Sequence, residues 1–579
     1  MTPTPRHQSI FFLIMRRLRA PLILLISIIA FSVLGLTLSP GVDAEGRVHY
    51  LSFFHAFYFI SYTATTIGFG EIPYQFSDQQ RLWVTLCIYL SVVGWAYTVG
   101  TVFSLLADRS LRQAVQTQRF MRAVRRLREP FYLVCGYGET GRLICNALDR
   151  LGHRAVVLEL DEDKIGEVDL HGYTADVPAL AANAANPETL RLAGLTHPYC
   201  AGVIALTNDD SANLAIAIAA RLLAPRLPAL CRAESAETAA NMASFGTRHI
   251  INPFVKFGDY LGLALQSPAA WQLLIWLTGL PGTTVAHHRE PPRGKWILCG
   301  HGRFGRIVVQ ALDRKGVPLT IIDRHPPEDI DHRWVQGDGT GTQALEAAGI
   351  KDAVGIVAGT RSDVDNLSIA VTARELNREL FTVLRQNHYS NHALFDAFDA
   401  DFNMVPSEII AHECLAILTT PLLVPFLEEI KRRDEQWCDW LLKRLTGRFG
   451  WDVPTVWSER LNLSRTPALY RRLMAGEDIS LDALLRAPHN RNEYIACEVV
   501  YMQRDDDDHL VMPRGDTIVR PGDELLLVGG PRARSDLALC LANEHALTYV
   551  LTGEDLPGGW IWEKLAGRRK ARIQRHLPS

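Results

Sequence analysis

Two long, nearly uninterrupted apolar runs, 20–38 and 82–107, leave this chain little freedom in how it begins to fold. Each is long enough to cross a hydrocarbon layer of about 30 Å as a helix, and the second carries no charged side chain. Between them, 51–62 is apolar and aromatic but too short to span, which predicts a buried or re-entrant helix. A cleaved leader is the alternative for the first run, but the run is too long for one and follows an arginine-bearing stretch. Arg6, Arg16, Arg17 and Arg19 precede it, and Arg109, Arg112, Arg119, Arg122, Arg125, Arg126 and Arg128 follow the second run. Only Arg47 and Arg81 lie between. The positive-inside rule therefore places both termini in the cytoplasm and the hairpin outside, as for a multi-pass protein of the plasma (inner) membrane.

A re-entrant backbone is tolerated at membrane depth only where it lines a cavity. Thr65-Thr66-Ile67-Gly68-Phe69-Gly70-Glu71 supplies the reason for one. Successive carbonyls can replace the hydration shell of a cation if all point toward one narrow axis. Such a backbone needs residues free to take positive φ, which Gly68 and Gly70 provide. Thr66 adds a hydroxyl at the inner end. One loop provides a quarter of each oxygen ring, so four chains are required.

On these residues, 10–108 resembles the two-span potassium channels, whose filters read Thr-Val-Gly-Tyr-Gly. The resemblance implies a homotetramer with Thr66, Ile67, Gly68, Phe69 and Gly70 as the selectivity filter, and K⁺ held at Thr66 to Phe69. Ile67, Phe69 and Glu71 depart from the usual Val, Tyr and Asp, so conductance and block are expected to differ while selectivity survives. Gly94 stands where the family often has a gating hinge; a helix-packing contact is the alternative.

Further on, a buried strand at 131–135 leads into Gly136-Tyr137-Gly138-Glu139-Thr140-Gly141, and a second strand ends in Glu159. This is a dinucleotide fingerprint in its strand–turn–helix–strand setting. The glycines allow a tight turn and close backbone approach, the helix N-terminus attracts pyrophosphate, and Glu159 suits a ribose diol. The unit recurs as Gly300-His301-Gly302-Arg303-Phe304-Gly305 with Asp323, each 164 residues on. Thr207 and Thr360, Asn213 and Asn366, Arg232 and Arg385, and Pro253 and Pro406 are each 153 apart. The halves are therefore duplicates, and the first carries 11 extra residues after its second strand.

These halves resemble the domains that regulate potassium conductance (RCK domains). The expected fold class is a membrane α-helical pore followed by α/β. The organisation is a pore at 1–107, a basic linker at 108–129 and a first Rossmann-like domain at 130–280. A linker at 281–294, a second Rossmann-like domain at 295–430 and a helical segment at 431–490 follow. A small lobe at 491–551 and a basic tail at 552–579 complete it. The resemblance implies a ring of eight RCK domains per tetramer, pulling on the inner helices. The nests, Gly136, Gly138, Gly141 and Glu159 in the first and Gly300, Gly302, Arg303, Gly305 and Asp323 in the second, are expected to take NAD(H) or an adenine nucleotide. Arg303 suits pyrophosphate, whereas the first nest has Glu139. Asp338 lies beside the adenosine in the family, where the first repeat reads Ala182-Asn183. The second site is therefore expected to be the better one.

Three other readings compete. Most such fingerprints belong to NAD-dependent enzymes, but no Tyr-x-x-x-Lys pair or catalytic constellation is visible. A regulatory subunit of potassium transport would share the Rossmann part but not the filter. Calcium gating would draw on Asp209 and Glu234, or on Asp505 to Asp508, but Arg232 stands beside Glu234 and the aspartate run suits a solvated hairpin. A net charge of −3 and a pI near 6.7 exclude a globally basic nucleic-acid binder. No Cys-x-x-Cys pair occurs, and Cys135, Cys145, Cys231 and Cys299 fall in apolar segments expected to be buried and reduced.

Overall fold

The computed structural model describes residues 10–42, 47–71, 75–279, 282–283, 289–325, 332–504 and 508–554. Asp505, Asp506 and Asp507 of the acidic run, part of the 281–294 linker and the tail beyond 554 lie outside them. The chain divides into two compact units, Met1–Arg126 and Leu127–Ser579.

In the first unit, an outer helix Ile10–Leu38 and an inner helix Asp78–Ala107 enclose the short helix Phe53–Ala64. Each of the latter two starts on a serine cap: Ser52 accepts from the His55 amide, and Ser77 forms a capping box with Gln80. The two long helices approach closely at Gly35, where a Cβ would overlap the Trp83 ring, and Trp83 donates to the Ser32 carbonyl at 3.1 Å. Val33, Leu36, Phe59, Ile60, Phe76 and Val84 form the core beneath. Ile26, Leu34, Leu82, Tyr89, Val93 and Phe103 are exposed, as surface facing lipid or other copies would be. After Asp108, which is ion-paired with Arg17, helix Arg109–Arg126 carries the basic linker.

The second unit holds two six-stranded parallel sheets of the same topology. In strand order along each repeat they read 3-2-1-4-5-6, the doubly wound arrangement. Phe131–Cys135 is central in the first and Trp296–Cys299 in the second, both wholly buried. The extra length of the first repeat follows its second strand and contains helix Glu162–Leu170. The recurring Thr–Asn–Arg landmarks hold one hydrogen-bond pattern. Asn213 accepts from the Thr207 amide at 3.0 Å and donates to the Arg232 carbonyl at 3.0 Å. Asn366 does the same with Thr360 at 2.8 Å and Arg385 at 2.7 Å. Both asparagines are fully buried, so each turn closes on a side chain no apolar residue could replace.

Each repeat ends in a helix that packs on the other. Pro253–Gln266 lays Phe254 and Phe257 against Phe304, with ring centroids 5.8 and 5.3 Å apart. Pro406–Thr419 buries Ile410, Ala411, Cys414 and Leu415 among Val134, Ile144 and Leu148 of the first repeat. Burying Phe254, Phe257, Leu261 and Trp271 is together worth on the order of 6–12 kcal/mol. Trp271 comes from the following helix, Pro268–Thr278, so the first repeat covers the second with two successive helices.

The lobe corrects one expectation. Residues 431–490 are not merely helical: Thr455–Arg460 is an edge strand of a four-stranded antiparallel sheet, paired with Glu524–Gly529. Helix Glu435–Phe449 covers one face together with Pro268–Thr278 from the first repeat, sharing a core with Phe426, Tyr501 and Leu526. Leu469, Leu481 and Leu484, from helices Pro467–Met474 and Leu481–Leu484, fill the other face. This segment therefore completes the lobe. Its strand is short and flanked by helices on both sides, which hid it in the periodicity.

All ten cysteines are free, and Cys135, Cys145, Cys231 and Cys299 are buried as expected.

Candidate functional sites

The filter segment leaves helix Phe53–Ala64 through a cap at Thr65. Positive φ recurs at alternate residues, +63° at Thr66, +67° at Gly68 and +90° at Gly70. The two glycines were foreseeable; Thr66 was not, and holding a β-branched residue there costs roughly 1–2 kcal/mol. Such strain persists only where surroundings enforce it. Here the Thr66 amide donates to Thr63 at 3.1 Å, and the Ile67 amide to Tyr62 at 2.9 Å. Tyr62 also donates its hydroxyl to the Gly70 carbonyl at 2.5 Å and meets the Phe69 ring edge-on at 5.3 Å. Among the described residues, none of the carbonyls of Thr66, Ile67, Gly68 and Phe69 accepts a hydrogen bond. Beside Gly68 and Gly70 nothing lies within 4 Å of where a Cβ would be. Glu71 forms a two-point pair with Arg81, 2.9 and 3.1 Å, and accepts the Phe76 amide at 2.8 Å. Gly94 lies inside an unbroken helix, and a Cβ there would meet Ile28 at 2.7 Å, so it is a packing contact here.

The two nests share one geometry. Gly136 and Gly300 have φ of +104° and +95°. A Cβ on Gly141 or Gly305 would stand 2.1 Å from the Gly136 or Gly300 carbonyl oxygen, so only glycine lets helix and strand approach this closely. Gly138 and Gly302 have open space beside them, the cradle a phosphate needs. Glu159 accepts the Tyr137 amide at 2.5 Å, and Asp323 the His301 amide at 2.6 Å, fixing each carboxylate at the strand end. Asn183 and Asp338 make the same turn, accepting the amide two residues on, at 2.8 and 3.1 Å. Bonds from the Thr340 hydroxyl and amide hold Asp338 below the usual carboxylate range. These donors and glycines fit a nucleotide.

A cavity of about 1200 Å³ opens on the second nest, lined by Gly302, Arg303, Asp323, Asp338, Arg361 and Arg385. Contacts that no sequence pattern signalled tie the nests together. Arg303 reaches Glu234 of the first repeat at 3.1 Å, and Glu139 accepts the Tyr389 amide of the second at 2.7 Å. Glu234 also holds Arg232 at 2.5 Å, so both its oxygens face guanidiniums rather than a cation site. Asp209 caps helix Asp210–Leu223. No cluster of three His, Cys, Asp or Glu suited to a metal occurs among the described residues.

Residues 23–108 match the ion channel family, and 132–253 and 296–406 each match the TrkA-N domain. The chain is an ion-channel module joined to two TrkA-N domains. It is 25% identical over 206 residues to potassium channel protein 1 of Methanocaldococcus jannaschii, covering 36% of this chain and 60% of that protein. To a Trk system potassium uptake protein TrkA homolog of Pyrococcus abyssi it is 29% identical over 136 residues, 22% of this chain and 60% of the relative. The chain thus spans less than two thirds of the length of each. Among solved structures, a GsuK channel bound to NAD aligns over 91% of this chain and 99% of that one, with TM-score 0.43 and 18% identity. The channel module is membrane-embedded by its two apolar helices, Met15–Leu38 and Asp78–Leu105. A third apolar stretch among the described residues, the helix pair Pro406–Thr419 and Leu423–Arg432, bends by 117° and is buried within the TrkA-N unit, where it serves as core.

Proposed function

We propose that four copies of this chain form a potassium-selective channel of the plasma membrane, both termini cytoplasmic, gated by a nucleotide at the TrkA-N domains. The observation that carries it is the run of four consecutive carbonyls, Thr66 to Phe69, without hydrogen-bond partners among the described residues and set behind alternating positive φ. At membrane depth such carbonyls need a ligand, and a ring from four chains offers a dehydrated cation that ligand. Thr66, Ile67, Gly68 and Phe69 would coordinate K⁺. The Gly70 carbonyl, held by Tyr62, would brace the outer end. Opening at Gly94 would part the inner helix from Ile28, so its packing role in one state is compatible with a hinge between two.

Four chains bring eight TrkA-N domains, enough for a ring without a separate soluble subunit. The second nest would be the principal ligand site: it has the cavity and Arg303, while Glu139 puts an anion in the first. Asp323 favours a free ribose diol over a 2′-phosphate, hence NAD(H) or an adenine nucleotide over NADP. The protein acts by binding and transport rather than by catalysis. The engagement of Glu234 by Arg232 and Arg303 weighs against calcium there.

Bilayer recordings in mixed potassium and sodium test the pore, with NAD, NADH, ADP, ATP and calcium added from the cytoplasmic side. Reversal potentials should follow potassium, and a nucleotide should change open probability. Equal sodium permeation would refute the filter; a native mass other than a tetramer without added subunits would refute the assembly.

A further inference from the structure

The two repeats treat one conserved-in-place arginine oppositely. In the first, Arg232 is neutralised: its guanidinium donates to Asn208 at 2.8 Å and to Glu234 at 2.5 Å. In the second, 153 residues on, the corresponding residues around Arg385 are Arg361 and Asn387. A neutral acceptor has become a cation, and the carboxylate has become an amide. Asn387 is itself committed, donating its side-chain amide to Asp363 at 2.9 Å. Asp363 in turn accepts the Asn387 and His388 amides at 2.6 and 3.0 Å and Asn391 at 2.7 Å. Glu234 is spent on Arg232 and Arg303.

Among the described residues Arg385 forms no ion pair, although Glu234 and Asp363 lie near enough to act on its charge. Its Nε is buried and makes no hydrogen bond, and its guanidinium lies over the Phe254 and Phe304 rings at 4.8 and 5.3 Å. A second buried donor-acceptor atom, Nε2 of His301, is also unsatisfied, and both residues line the same cavity. Burial, with Arg303 and Arg361 nearby, outweighs the opposing pull of Glu234 and Asp363 and lowers Arg385 to about 10. Natural cores rarely leave such groups unanswered, and a convergence of three guanidiniums is stabilised by an anion between them.

We propose that Arg385, assisted by Arg361, anchors a second phosphate of the ligand whose first phosphate lies on the Gly302 turn. The site then selects ligands with a phosphoanhydride, nucleoside diphosphates, triphosphates and dinucleotides, over monophosphates. The inference rests on the nucleotide reading of the second cavity and adds the phosphate count. In the first repeat Glu234 occupies the electrostatic place of that phosphate, which is why the equivalent Arg232 is no anchor.

Calorimetry on the detergent-solubilised full-length protein with AMP and with ADP tests this. Wild type should bind ADP about tenfold or more tighter than AMP, the effect of one charge-assisted contact. Arg385→Met should collapse that ratio to near one while leaving AMP affinity in place. Asn387→Glu, which gives the second repeat the carboxylate of the first without removing Arg385, should do the same. Equal affinity of wild type for AMP and ADP would overturn the proposal. So would a ratio that survives both variants, or an equal loss of AMP and ADP in both. A wild type that binds neither AMP nor ADP would instead sink the nucleotide reading itself.

Discussion

Arg303 and Glu234 touch, yet substituting them should move ligand affinity in opposite directions. Arg303 is the cation on the second nest's incoming helix, and without ligand it pairs with Glu234 across the repeat interface at 3.1 Å. A charge-assisted contact to phosphate contributes about 1.5–3 kcal/mol. Forming it means giving up the pair with Glu234, and Arg303 is 63% exposed, so solvent limits that pair to about 0–1 kcal/mol. The net contribution of Arg303 is therefore roughly 0.5–3 kcal/mol, and Arg303→Ala should weaken ADP binding about two- to 150-fold. Glu234→Gln removes the competitor and also frees the Arg232 guanidinium, which adds no negative charge to the site, so it should leave affinity unchanged to about fivefold tighter. Calorimetric titration of ADP into both variants and wild type reads the two signs. If Glu234→Gln weakens binding, or Arg303→Ala is silent, Arg303 is an interface residue and not a phosphate ligand.

Three further outcomes are expected. Gly68→Ala should abolish selective potassium current in bilayers, because a side chain at φ +67° costs about 1–2 kcal/mol per subunit and crowds the conduction axis; selective conduction by that variant would refute the filter assignment. Asn366→Ala should destabilise the TrkA-N unit by roughly 1–3 kcal/mol in thermal unfolding, since it strands the buried Thr360 amide and Arg385 carbonyl, and Asn213→Ala should do likewise in the first repeat. At Asp363 burial pushes the carboxyl up, but bonds from Asn387, His388 and Asn391 prevail and the net shift is down. Its stabilisation is thus full above the ordinary aspartate value of about 3.9 and is lost as pH falls through the lower folded value, so Asp363→Asn should flatten stability below about pH 4.

Local chemistry was legible in the sequence and long-range pairing was not. The 153-residue spacing announced itself because each Thr–Asn–Arg set closes its own turn, so both copies kept the same residues for a reason internal to each. Gly68 and Gly70 were readable because only glycine adopts their φ freely, whereas Thr66 carries the same geometry through bonds to its neighbours and leaves no mark in composition. Pro253–Gln266 has the apolar stripe of any crossover helix, and nothing in that stripe says which sheet it covers. Arg303 stood out in the sequence by its place in the nest, but its partner Glu234 is brought to it only by the packed repeats. The strand Thr455–Arg460 was missed because its pairing partner, Glu524–Gly529, lies far along the chain.

That exchange of terminal helices also sets a schedule on the ribosome. When residue 266 has emerged, the side chains of Phe254, Phe257 and Leu261 have no sheet to cover, because Phe381, Phe402 and Met404 of their core are still to be made. At ordinary translation speeds those roughly 140 residues take about 7–30 s. Throughout that interval the first repeat also lacks Ile410 and Cys414 over Ile144 and Leu148. The nascent chain therefore exposes two complementary sticky faces at once. A synonymous slow stretch between codons 266 and 404 should thus raise aggregation, and shortening the wait should raise the yield of assembled channel.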